Sequence, residues 1–155
     1  RWHVPAEKAT LLAHLADGRL GWAVQAAQDG AILQERTEQL AQLHQALAGR
    51  RVERFDLADK LSRKPEILPD LLKTWLSWWR DLTLLSQRRG QPVSLMLTNV
   101  DEVPRMEPLA TAWREQQVIH SLNQTNEALW QLERNANTRL VMENLLLVYP
   151  LPAGV

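Results

Sequence analysis

The chain has 155 residues, in which 18 lysines and arginines balance 18 aspartates and glutamates, so it lacks the basic excess typical of a nucleic-acid-binding module. It contains no cysteine, which excludes a thiol nucleophile, a cysteine-ligated zinc site and a disulfide framework. No apolar run approaches the roughly 20 residues that a bilayer-spanning helix needs, and we expect a cytoplasmic protein with no membrane partner. Because the first residue is Arg1 rather than methionine, we also expect a piece of a longer protein.

Two short helices are predicted in the first thirty residues. Pro5 suits the first turn of a helix, because its missing N–H would have no helical partner there. The Asp-Gly pairs at 17–18 and 29–30 are typical of helix ends. Helices this short bury little surface alone, so we interpret residues 1–30 as the end of a preceding domain.

Three helices are predicted over the next sixty residues. The first, over 32–48, is amphipathic, and Gly49 stands where a helix often ends with a positive φ. The third, over 70–88, has leucines and tryptophans on more than one face, and Gly90 closes it. The second, over 51–62, is predicted to be anchored by its apolar residues Val52, Phe55, Leu57 and Leu61.

The pattern beyond residue 90 is less regular. The β-branched, apolar segment 93–97 has no partner strand, which favours a continued helix over a sheet. Asn99, Asp101 and Pro104 mark a loop and the start of another helix, which is predicted to run over 106–134.

The last helix, over 139–149, has very little polar surface. Asn137 and Thr138 can cap its N-terminus, and Pro150 and Pro152 end it. A helix that only lines a core shows a narrower apolar stripe backed by charge. We therefore expect this helix to be central to a core or shared between a core and a partner subunit.

These elements predict an all-α fold, an antiparallel bundle of about five helices preceded by two short ones. The seven tryptophans could instead form a base-stacking platform, but they lack interleaved basic residues, so packing in a core or interface is favoured. The four histidines have no metal-ligand spacing, and the pair Asp101-Glu102 is best explained by the dipole at a helix start. No catalytic, metal-binding or cofactor-binding residues are predicted.

Three stretches together resemble one family. They are Leu-Ala-Asp-Gly-Arg-Leu-Gly-Trp-Ala-Val at 15–24, Trp-Trp-Arg-Asp-Leu from residue 78 with Asn-Val-Asp at 99–101, and Asn-Ala-Asn-Thr-Arg-Leu-Val-Met-Glu from residue 135, followed by three leucines. In order and spacing they are similar to the C-terminal part of the bacterial DNA polymerase III clamp-loader subunits. The match covers almost the whole chain.

The resemblance implies an organisation and a set of partners. Residues 1–30 would be the end of an AAA+ lid domain, 31–149 a helical collar domain and 150–155 a tail. Collars pack into a ring with the other loader subunits, gamma/tau and delta, whereas the sliding clamp and primed DNA are met only through the whole complex. The segment would have no cofactor and no activity of its own, and an isolated fragment, without its neighbours, can be monomeric.

One departure bears on the type of subunit. In ATP-hydrolysing members the lid turn has an arginine, called sensor two, that reaches the nucleotide phosphates, and Gly21 occupies that place here. Glycine offers no charge to a transferring phosphoryl group, so the resemblance favours the non-hydrolysing delta-prime type. A gamma/tau ATPase fragment and a helical adaptor unrelated to replication remain as alternatives.

The predicted core and inter-subunit contact consists of Trp75, Trp79, Leu140, Leu145, Leu147 and Val148. On this hypothesis the changes Leu145→Glu and Val148→Glu should prevent entry into a loader ring.

Overall fold

The computed structural model describes residues 4–16 and 20–152. Over these ranges the regular structure is helical, with no β-strand, which confirms the all-α prediction. The α-helices are α1 (Ala6–Ala16), α2 (Leu20–Gln28), α3 (Gly30–Ala48), α4 (Arg51–Ser62), α5 (Leu68–Gln87), α6 (Val103–Ala112), α7 (Glu115–Glu133) and α8 (Thr138–Val148). The turn predicted at residues 17–19 lies outside the described residues.

Helix α5 is at the centre of the core. Its side chains Trp75, Trp78 and Trp79 are completely buried, and the helix packs against α3, α6 and α7. Helix α8 completes the bundle by packing against α4 and α7. A buried indole removes about 150–250 Å² from water, so these three tryptophans make a large contribution to the hydrophobic stabilisation of the bundle.

The N-terminal helices lie beside this bundle. Helix α1 packs on α2, and α2 packs on α3. The ring of His14 in α1 also forms a 2.7 Å hydrogen bond from Nδ1 to the carbonyl oxygen of Leu97. Asp29 begins α3 as its N-cap, because its Oδ1 accepts a bond from the Ala31 N–H.

The prediction of a single helix over 106–134 is wrong, because this part of the chain forms two helices, α6 and α7. Trp113 between them has extended backbone angles, φ −95° and ψ 146°, and its ring packs on Trp79 at 5.9 Å between centroids. The N–H of Arg114 bonds to Oε1 of Gln117, which starts α7. Burial of Trp113 in the core thus outweighs helix continuity, and the bundle predicted to have about five helices has six α-helices over residues 30–148.

The continued helix predicted at 93–97 is also wrong, since this segment is a loop with a 3-10 turn at Ser94–Met96. Helix α5 stops because Arg89 and Gly90 both have positive φ, of 46° and 83°. That finding agrees with the predicted role of Gly90.

Two predictions, one about the end of α3 and one about α4, need correction. Gly49 has φ −80° rather than a positive value. Glycine suits this position because there is little room for a side chain: a Cβ there would lie 3.1 Å from the Cβ of Glu53. Val52 and Phe55 do not anchor α4, because both side chains are exposed. Leu57 and Leu61 do face the core, together with the unexpected Arg54.

Candidate interaction surface

Helix α8 is fixed at its start by the predicted cap. The Asn137 side chain accepts a 3.0 Å hydrogen bond from the N–H of Leu140, which satisfies one of the free donors of the first turn. The face turned to the core consists of Val141, Met142, Leu145 and Leu146. Because these four positions recur at helical spacing, the orientation of α8 is unambiguous.

The other side of α8 is apolar but exposed. Leu140, Leu147 and Val148 retain 55%, 39% and 37% of their accessible surface. Leu140 and Leu147 are two turns apart and therefore lie on one face of the helix. A helix needs only one buried stripe, so this second apolar stripe has no function inside the bundle.

Helix α4 extends this apolar surface. It runs antiparallel to α8, since Asp59 lies 3.6 Å from Arg139 at the start of α8 whereas Arg54 bonds to the end of α8. Val52 and Phe55 on α4 are 69% and 43% exposed. We call Val52, Phe55, Leu140, Leu147 and Val148 the α4–α8 surface. Exposed apolar residues gathered on two packed helices are typical of a protein contact site.

Arg54 of α4 is buried and holds the end of α8 in place. The Arg54 guanidinium donates to the carbonyl oxygens of Leu146 and Tyr149 at 2.9 and 2.6 Å and to that of Pro150 at 2.6 Å, while its Nε donates to Gly49. A helix leaves its last carbonyls without internal partners, and Arg54 supplies the missing donors. Burial lowers the pKa of Arg54 from its ordinary value, but arginine remains protonated.

Tyr149 also holds the end of α8 in place. Its ring lies 5.0 Å from that of Trp79, and its hydroxyl is 2.6 Å from Oγ1 of Thr125. Since the Thr125 hydroxyl donates to the Ser121 carbonyl, Tyr149 is the donor in this pair. Burial raises the pKa of Tyr149, so the hydroxyl stays neutral and able to donate.

The second stretch of the family resemblance forms one hydrogen-bonded unit. Asp81 in α5 is fully buried, and its carboxylate accepts bonds from the N–H groups of Thr98 and Asn99 and from the Asn99 side chain, at 2.6–3.2 Å. Arg36 in α3 then donates to Asn99 and, through both its terminal nitrogens, to Asp101. Asp81, Asn99 and Asp101 thus hold the loop after α5 against the bundle.

Glu102 has a structural role beyond the predicted helix dipole. Its Oε2 lies 2.6 Å from Nε2 of His44 in α3 and accepts a 3.2 Å bond from the Trp78 indole N–H. Burial acts to raise the pKa of Glu102, but the hydrogen bonds from His44 and Trp78 outweigh it and leave that pKa below its ordinary value.

The described region contains several recesses on its surface. A polar cleft of about 400 Å³ lies between α3 and α5, and its Gln39 and Thr74 side chains bond to each other. No group of three His, Cys, Asp or Glu residues that could hold a metal ion occurs in residues 4–16 and 20–152. Within the same ranges, every helix is too short or too polar to cross a membrane.

The residues predicted for the core and contact separate into two groups. Trp75, Trp79 and Leu145 are buried in the bundle, whereas Leu140, Leu147 and Val148 are exposed. Gly21 lies within α2, and its side-chain surroundings are outside the described residues.

Sequence reasoning missed Arg54, and it assigned Val52 and Phe55 to the core rather than to the surface. The signal for Arg54 was present, because it precedes Leu57, Ala58 and Leu61 at the spacing of the buried face of α4.

Comparison of the chain with protein-family models, curated proteins and solved structures gave no match.

Proposed function

We propose that this chain contains an oligomerisation domain of the clamp-loader collar type, most like that of the delta-prime subunits. Residues 31–149 would be the collar, 1–30 the end of a lid domain and 150–155 a tail. The partners would be the gamma/tau and delta subunits, with the sliding clamp and primed DNA contacted only by the assembled loader in the cytoplasm.

The single observation behind this proposal is the exposed α4–α8 surface. Its α8 residues belong to a helix whose core face is already complete, and Arg54 and Tyr149 fix the end of that helix. An interface between permanent ring subunits typically buries about 2,000 Å² or more in total. An exposed apolar stripe on α8 with two exposed apolar side chains on the adjacent α4 fits such a contact better than an isolated binding pocket does.

The family motifs support the same proposal in a different way. Asp81, Asn99 and Asp101 act together on one loop although they are up to 20 positions apart. Asn137 caps the helix that bears the proposed contact. A non-hydrolysing role is proposed from Gly21, since glycine has no charge to offer a nucleotide phosphate.

The test uses full-length protein with Leu140→Glu and Leu147→Glu together, mixed with purified gamma/tau and delta subunits. We expect the variant to fold, because both side chains are exposed, and to lose entry into the ring, measured by size-exclusion chromatography with light scattering. Leu145→Glu does not test the contact, since Leu145 is buried and its loss would act on folding.

Leu95→Glu is the matched control, because Leu95 is 92% exposed but lies in the loop after α5. It should assemble like the parent protein. Normal assembly of the double variant would refute the contact, and failure of the parent protein to join the loader subunits would refute the clamp-loader assignment.

A further inference from the structure

A recess of about 430 Å³ lies at the N-terminal end of α4, next to the α4–α8 surface. It is lined by Arg50, Arg51, Val52, Glu53 and Leu151. Val52 is exposed and Leu151 partly so, and together they offer apolar contact area. The recess therefore joins the first turn of α4 to the segment that follows α8.

The recess is already formed in the isolated chain. Arg54 holds the Pro150 carbonyl at 2.6 Å, which places Leu151 beside the start of α4. The Glu53 carboxylate accepts a 3.1 Å bond from the N–H of Arg50 and so closes the first turn. A preformed site loses less conformational entropy on binding than one that must be ordered by its ligand.

The rim of the recess is positively charged. Arg50 and Arg51 are exposed, and in the described part of the chain neither forms an ion pair. Glu53 is the one acidic residue of the lining, and its carboxylate is engaged with the helix backbone. The positive end of the α4 dipole adds to the field of the two arginines.

We infer that this recess receives an apolar side chain flanked by carboxylates, presented by a neighbouring subunit of the loader ring. The apolar lining fits the side chain, and the arginine rim is complementary to the acidic flanks. The neighbour is a ring subunit because the recess is continuous with the α4–α8 surface through Val52. This inference rests on the proposed function and adds the chemistry of the partner.

The experiment measures binding of the full-length protein to purified gamma/tau and delta subunits at low and at physiological salt. The variants are Arg51→Glu and Val52→Asp, which place negative charge in the first turn of α4, where the helix dipole favours it. Folding should therefore be unaffected, and circular dichroism checks this. Each variant should weaken binding about tenfold or more, because each replaces a contact that fits the partner by a charge that repels its carboxylates.

Lys60→Glu provides the control, since Lys60 is an exposed cation near the other end of α4. It should bind like the parent protein, and the parent's affinity should fall with salt more steeply than that of Arg51→Glu. Normal binding by both recess variants would refute the recess while leaving the collar proposal intact. If the parent protein fails to bind the loader subunits, the collar proposal and this inference fail together.

Discussion

Three polar side chains, two of them buried and one partly buried, connect parts of the chain that are distant in sequence. Arg54 reaches the carbonyls of residues 146–150, Asp81 holds the backbone of residues 98–99, and Glu102 bonds to His44 and Trp78. Each is satisfied by several partners, as buried polar groups must be if they are not to destabilise the fold. At the scale of single residues, one polar side chain therefore holds together two distant parts of the chain.

Arg54→Leu should lower the free energy of unfolding by about 3 kcal/mol or more, because the carbonyls at the end of α8 lose their donors. Urea denaturation followed by circular dichroism measures the change. Arg51→Leu, at an exposed neighbouring arginine, should stay within about 0.5 kcal/mol of the parent protein. Equal stability of the Arg54 and Arg51 variants would show that water replaces the guanidinium without cost.

The helices differ in what determines their limits. Caps and turn residues set the start of α8 at Asn137 and the end of α5 at Gly90. The break between α6 and α7 is set by packing, because Trp113 leaves the helix to stack on Trp79. Contacts between helices decide the rest, and the Glu102 site is one that joins α3 and α5 to the start of α6.

Glu102→Gln should reduce stability at neutral pH and lose that effect in acid. The folded pKa of Glu102 lies below its ordinary value, so the ionised carboxylate stabilises the native state above the unfolded pKa. This contribution is lost as the pH falls below the ordinary value of 4.5 and through the lowered pKa, so the two proteins should converge in urea denaturation over that range. A constant difference across that range would show that the ionised carboxylate contributes nothing.

The molecule as a whole combines a fully buried core with exposed apolar residues on one side. The tryptophans of α5 are sealed on all sides, whereas α4 and α8 turn apolar residues outward next to a cationic recess. Leu145 and Leu147, two residues apart on α8, lie on opposite sides of this division.

Leu145→Ala should cost about 2–5 kcal/mol of unfolding free energy, because it leaves a cavity in the core. Leu147→Ala should cost less than about 1 kcal/mol in the isolated chain, since its side chain is already exposed. Thermal and urea denaturation of the two variants provide the comparison. Similar losses in both would mean that the outer side of α8 is covered within the chain itself.

Local patterns in the sequence predicted most of the helices. Their signals, such as the Asn137 cap, Gly90 and Pro104, act through bonds and steric limits within a few residues. The same local reasoning failed at Gly49, which lies close to the first turn of α4, and at residues 93–97, which lead into the backbone that Asp81 binds at Thr98 and Asn99.

The sequence by itself determined that the chain is all-helical and that its last helix has more apolar surface than one core face can use. Only the tertiary structure decided that Trp79 and Leu145 are buried while Leu140 and Leu147 face outward. The reason is that helical periodicity places residues on a face, but the packing of α4 and α7 against α8 selects which face is covered. Arg54 makes the same point, since three of the carbonyls that it binds lie more than 90 positions further along the chain.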